Sequence, residues 1–141
     1  MKRLPLLLTL VVLCGCSMQD SQDFFIPESR AAGGVYEFRF PLSDSLCTYD
    51  FLFYTRVDGK WQSSIRLDAS WLSPEGKSFT ETVYMAPSGA KDAAQIYRSG
   101  VVPASLGDWK LSVSVSGIPR GFRGLGLTIE KNGTRQTEEI R

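Results

Sequence analysis

From Val35 onward the chain keeps a hydrophobic period of two. Tyr36, Phe38 and Phe40 alternate with Glu37 and Arg39, and Ile65, Leu67, Ala69 and Trp71 alternate with Arg66, Asp68 and Ser70. The pattern returns in Trp109, Leu111, Val113 and Val115 against Lys110, Ser112, Ser114 and Ser116. Successive side chains of an extended strand point to opposite faces, so each stretch predicts a strand with one face on a core and one in water. Tyr49 to Val57 carries aromatics on both faces, as a central or ligand-facing strand would. Phe79 to Met85, Ile96 to Val102 and Leu125 to Lys131 add further strands. Asp58-Gly59 and Asn132-Gly133 have the chemistry of tight hairpins, in which glycine accepts positive φ, and Ser73-Pro74-Glu75-Gly76 suits a type I turn. No stretch sustains a helical period, and Gly89 to Gln95 predicts at most one short helical turn. Short strands with regularly spaced turns predict an all-β antiparallel β-sandwich, immunoglobulin-like or jelly-roll-like.

Ahead of this domain stand Lys2 and Arg3, an apolar run from Leu4 to Leu13, and the box Leu13-Cys14-Gly15-Cys16. That is the layout of a secretory signal peptide. As a helix the run would reach about 15 Å, half the thickness of a bilayer core, so it predicts a cleaved leader and not a transmembrane span. Gly15 is small beside the cut, Leu13 is a branched apolar residue three before it, and only a thiol can carry a thioether-linked diacylglycerol. Cys14 follows bulky Leu13 and fits worse. The expected organisation is a lipoprotein signal peptide over 1–15, a lipidated Cys16 and flexible tether over 16–34, and the sandwich over 35–141. Acyl chains on Cys16 would be the protein's membrane partner, since two chains suffice for stable anchoring. A flexible stretch from Ser17 to Gly34 would average about 25 Å end to end. Phe24, Phe25 and Ile26 do not suit a solvated tether; they predict an edge segment docked on the domain, with a partner-binding patch as the alternative.

The chain has 141 residues, with 16 Lys and Arg against 15 Asp and Glu. Lys2 and Arg3 leave with the leader, so no strong field of either sign remains and nucleic acid is not expected as a partner. Of the three cysteines, Cys14 leaves with the leader and Cys16 is expected to carry the lipid. Cys47 therefore has no intrachain disulfide partner after cleavage, and its apolar neighbours predict a buried, inert thiol. There is no histidine. Ser-His-Asp and Cys-His machinery and imidazole zinc sets are thereby excluded, and nothing in the placement of Asp44, Asp50, Asp58 and Asp68 marks a catalytic carboxylate pair. The expectation is a non-enzymatic protein with no metal and no cofactor.

Trp71 and Trp109 fall in register with aliphatic residues and are expected in the core. Trp61 follows the Asp58-Gly59-Lys60 turn, where a ring could be exposed. With Tyr54 it is the candidate for contact with a ligand or partner. Gly121-Phe122-Arg123-Gly124-Leu125-Gly126 spaces its glycines like a phosphate loop but precedes a strand, so it predicts a bulged or kinked loop.

The order Phe38-x-Phe40, Asp44, Tyr49-x-Phe51-x-Phe53, Arg56, Trp61-x-Ser63-Ser64-Ile65-x-Leu67 and Pro74-x-Gly76 resembles the GldH-type gliding-motility lipoproteins of Bacteroidota. Gly107-x-Trp109-x-Leu111-x-Val113, Ile118, Arg120 and Gly124-Leu125-Gly126-Leu127-x-Ile129-Glu130-Lys131 extend the resemblance over roughly Tyr36 to Lys131. It implies a lipid-anchored sandwich without catalytic residues, in the cell envelope and at the outer membrane, working with gliding and type IX secretion machinery. Asp44-Ser45-Leu46 is similar to the O-glycosylation acceptor of the same phylum, which makes Ser45 a candidate modification site. The expected function is binding or bracing of an envelope protein partner. The alternative is a glycan-binding sandwich presenting Trp61 or Tyr54 to sugar rings.

Overall fold

The structure, a computed structural model, describes residues 20–59, 61–87 and 94–134. Eight strands follow in order: β1 (Asp20–Pro27), β2 (Val35–Leu42), β3 (Cys47–Val57), β4 (Ile65–Leu72), β5 (Ser78–Met85), β6 (Ala94–Val101), β7 (Gly107–Ser116) and β8 (Phe122–Thr134). Two 3-10 turns, Glu28–Arg30 and Ala32–Gly34, join β1 to β2. The strands form two four-stranded sheets, β1-β8-β3-β6 and β2-β7-β4-β5, and every pairing is antiparallel. This strand order is that of a jelly roll, the second of the two sandwiches expected.

Period two produces the core directly. Along β2 and β4 the inward residues Tyr36, Phe38, Phe40 and Leu42, and Ile65, Leu67, Ala69 and Trp71, are all buried, while their neighbours face outward. Leu111 and Val113 of β7 and Leu125, Leu127 and Ile129 of β8 meet them from the sheet centres. β3 is flanked by β8 and β6, which places Phe51 and Phe53 on the inner face of a central strand. Trp71 and Trp109 are core residues, and Cys47 is a buried cysteine whose thiol donates to Asp44 at 3.3 Å.

Two local expectations do not hold, and a third holds only in part. Asp58-Gly59 makes no hairpin: β3 and β4 belong to different sheets, and the turn carries the chain across the sandwich. There Asp58 donates its N–H to Gly121 O at 2.9 Å and its carboxylate meets Arg123 at 2.6 Å. Asn132-Gly133 lies within β8, whose pairing with β3 runs on to Thr134. Within Gly121–Gly126 the expected bulge is present, since Arg56 pairs with Gly124 but Val57 with Phe122, yet Gly124 and Gly126 are strand residues and not a loop. A Cβ on Gly126 would stand 2.1 Å from the Tyr54 ring, and one on Gly124 2.6 Å from the Phe25 ring, so these glycines let two aromatic rings lie flat on the outer face of the sheet. The Ser73–Gly76 turn does form, with Gly76 N–H on Ser73 O at 3.0 Å, and it joins the paired strands β4 and β5. Residues 88–93, most of the expected helical turn, lie outside the described residues, and Ala94 and Gln95 begin β6.

The tether expected over 16–34 is shorter than the sequence pattern suggests. Phe24, Phe25 and Ile26 do form part of an edge strand, but that strand begins at Asp20 and pairs residue by residue with β8 as far as Pro27. Its polar start, Asp20 to Asp23, has the composition of a linker, yet the neighbouring ladder of β8 supplies backbone partners that no linker has.

Candidate functional site

The inner face of β4 ends on Trp71, and five rings converge on it. Phe51 lies 5.2 Å away, Phe40 at 6.1 Å and Trp109 at 6.0 Å, all edge to face, while Phe79 at 5.9 Å and Tyr97 at 6.1 Å are stacked. Phe79 comes from β5 and Tyr97 from β6, the edge strands of opposite sheets. The cluster therefore fills the side on which the sandwich is open.

A bulge aims Tyr97 inward. β3 pairs Leu52 with Ile96 but Phe51 with Arg98, so Tyr97 is an extra residue in β6, and its ring packs 4.8 Å from Phe53. A second irregularity follows, where Asp50 accepts from Ser99 Oγ at 3.1 Å and from the Gly100 N–H at 2.8 Å. Gly100 takes φ +66°, a conformation that glycine reaches without penalty.

Polar side chains then close the gap between the sheets. Trp71 Nε1 donates to Tyr97 Oη at 2.8 Å, Tyr97 Oη donates to Glu81, and Arg98 grips both carboxylate oxygens of Glu81 at 2.6 and 3.0 Å. Burial and the Glu81 hydrogen bond push the Tyr97 phenol up to about 12. Partial burial pushes Glu81 up, but hydrogen bonds from Tyr97 and Arg98 and the arginine charge outweigh it and hold the carboxyl below its ordinary range. Farther along, Gln95 donates to Tyr84 O at 2.9 Å and accepts from the Ala86 N–H at 3.0 Å, in the manner of a paired strand.

Beside this latch a cleft of about 200 Å³ is lined by Phe51, Trp71, Phe79, Val102, Pro103 and Trp109, among others. Phe79 stands at its mouth at 48% exposure, and Tyr84 and Ile96, at 56 and 62%, are exposed farther along the same two edge strands on their outer faces. The arrangement suits apolar contact with a flanking ion pair. The nearby acid and phenol are locked to each other and to Arg98, so neither is presented for proton transfer.

The residues expected to make contacts lie elsewhere. Trp61 is buried at 4% exposure and belongs to the core cluster, because the turn before it crosses between sheets and folds the ring inward. Its Nε1, like Thr55 Oγ1, finds no hydrogen-bond partner among the described residues. Tyr54 is also buried, at 9%, lying against Gly126 with Phe25 stacked on it at 6.1 Å and its hydroxyl on Asp23 at 2.9 Å. Neither offers a platform to a sugar ring. Ser45 is exposed in the β2–β3 turn, whereas the neighbouring Asp44 carboxylate is engaged by the Leu46 N–H, Cys47 Sγ and Lys131. Cys16 lies outside the described residues. The four aspartates have separate partners: Asp44 with Lys131, Asp50 with Gly100, Asp58 with Arg123, and Asp68 with Arg66 and Thr82. Among the described residues no cluster of three Cys, Asp or Glu could hold a metal ion.

Sequence reading passed over Phe79, Glu81, Gln95, Tyr97 and Arg98. Their connection spans opposite sheets, and the only local signal is the ionisable Arg98 beside an aromatic in an apolar strand. No protein-family model matches this chain, and no curated protein matches it either.

Proposed function

We propose that the chain is a non-enzymatic envelope lipoprotein, anchored at the outer membrane through Cys16, whose jelly roll binds a protein partner along its β5/β6 side. The observation that carries this reading is the cleft beside Trp71 and the half-exposed Phe79, open where two sheet edges meet, with Tyr84 and Ile96 exposed on the outer faces of the same two edge strands. Apolar patches rimmed by polar groups are typical of protein interaction sites, and aromatic anchors dominate their energetics. The resemblance to GldH-type lipoproteins suggests a partner within gliding or type IX secretion machinery. A photo-crosslinking residue at position 96 tests the proposal in intact cells. The expected result is one reproducible protein adduct that disappears when Tyr84→Ser is added. Adducts no different from those of a label at Glu37, exposed on the edge strand β2 at the opposite side of the sandwich, would sink it.

A further inference from the structure

The anchor and the fold together fix which end of the domain meets the bilayer. We infer that the end bearing the β2–β3, β4–β5 and β6–β7 connections rests on the lipid surface, with Leu46, Val102 and Leu106 in the headgroup boundary. This rests on the reading of Cys16 as the lipidated residue.

Reach is the first argument. β1 begins at Asp20, four residues beyond Cys16. Four residues span at most about 14 Å when fully extended, roughly half the length that a flexible stretch to Gly34 would average. The domain cannot stand clear of headgroups; it must touch them near the start of β1.

Register then identifies the end. Asp20 pairs with Lys131, Lys131 with Tyr49, and Tyr49 with Val101. The start of β1 therefore lies with the start of β3, the end of β6 and the end of β8. In the other sheet Leu42 pairs with Gly107, and Leu72 with both Ser78 and Lys110. The connections 43–46, 73–77 and 102–106 all emerge here.

Chemistry is the third argument. Leu46 is the most exposed large hydrophobic among the described residues, at 67%, and Val102 and Leu106 are exposed in the β6–β7 connection, next to Pro103. Apolar tips presented where the anchor leaves no gap are suited to shallow insertion. Charges at this end are mixed, with Lys77 and Lys131 beside Asp44, Glu75 and Asp108, so contact is driven by apolar burial and not by anionic lipid. The opposite end exposes Val35 and Ile118 and carries Arg30, Arg56, Arg66, Arg120 and Arg123 around its connections; even with Arg66 and Arg123 paired to Asp68 and Asp58, and Glu28 nearby, this excess of arginine makes it the natural competitor for an anionic surface.

The test uses the full-length acylated protein in phosphatidylethanolamine–phosphatidylglycerol vesicles, in a Cys47→Ser background. Spin labels are placed at Leu46→Cys, Leu106→Cys and Ile118→Cys, and collisions with oxygen and with a water-soluble nickel relaxant are compared. Labels at 46 and 106 are expected to favour oxygen severalfold over the label at 118, whatever the phosphatidylglycerol fraction. Labels at 46 and 106 as aqueous as that at 118, or a label at 118 that turns lipid-facing as anionic lipid increases, would overturn the inference. An intact mass without acyl chains and a protein that fails to float with vesicles would overturn the anchor reading instead, before any label is measured.

Discussion

The two open sides of the sandwich are closed by different means. On the β1/β2 side, Phe24, Ile26 and Ala31 pack on the core, and one side-chain hydrogen bond, from Gln22 to Pro41 O, crosses at 3.5 Å. On the β5/β6 side Tyr97 and Phe79 stack on Trp71, but a polar network through Glu81, Tyr97, Arg98 and Gln95 joins the two edges, while Tyr84 and Ile96 remain outside. Apolar closure consumes the hydrophobic groups it uses. A polar latch holds the edges by a few directional bonds and leaves hydrophobic groups over for a second molecule, which is why the binding proposal falls on that side.

The largest expected effect is at β1, the edge strand of the apolar side, whose Phe25 ring stacks with Tyr54 on the outer face of the sheet. Gly126→Val would drive a side chain into the Tyr54 ring, which Phe25 and Asp23 hold down. Overpacking of this kind typically costs about 1–3 kcal/mol, and urea unfolding should show a loss near the upper end. Glu81→Ala opens the polar side. It removes the acceptor for Tyr97 and Arg98 and should cost about 1–2 kcal/mol by the same measurement, with the outer-face packing of Tyr54 unaffected.

Titration sharpens the comparison. Tyr97 loses its proton in the unfolded chain near 10 but in the fold near 12, so between these values the unfolded state binds fewer protons and stability falls as pH rises. Tyr97→Phe should flatten that alkaline limb. Glu81 works in the opposite direction: its folded carboxyl is held low, so its contribution is present above the unfolded pKa and is lost as pH falls through the folded one. Glu81→Gln should therefore shrink the acid limb of the stability profile. The smallest expected effect is Ile96→Ser, which should leave stability within about 0.5 kcal/mol because the side chain is mostly in solvent. A cost above 1 kcal/mol would mean that Ile96 belongs to the fold, and the contrast between the two sides would fail.

The strands were legible because alternation is local: the eight residues of β4 or the ten of β7 contain their own statement of which face is buried. Connectivity was not. Asp58-Gly59 and Asn132-Gly133 have hairpin chemistry, but whether a turn closes a hairpin depends on the sheet its second strand enters, and in a jelly roll most connections cross. The exposed Trp61 and Tyr54 were expected from turn proximity and aromatic excess. Each is buried by a partner far along the chain, the core cluster for one and Gly126 for the other. The latch was hidden for the same reason, since Glu81 and Arg98 stand 17 positions apart on opposite sheets.

The pairing of β1 with β8 also governs how the domain comes into being. β8 lies between β1 and β3, so the first described strand and the third both depend on the last for their ladder. A chain that crosses a membrane from its N-terminus delivers β8 at the end, and until then half of the sandwich has no centre. Completion of this sheet must wait for β8, with aromatic strands uncovered in the interval. Such long-range closure is slow and prone to aggregation. For a chain exported as proposed above, a route that keeps it extended until β8 has crossed would matter as much as any partner.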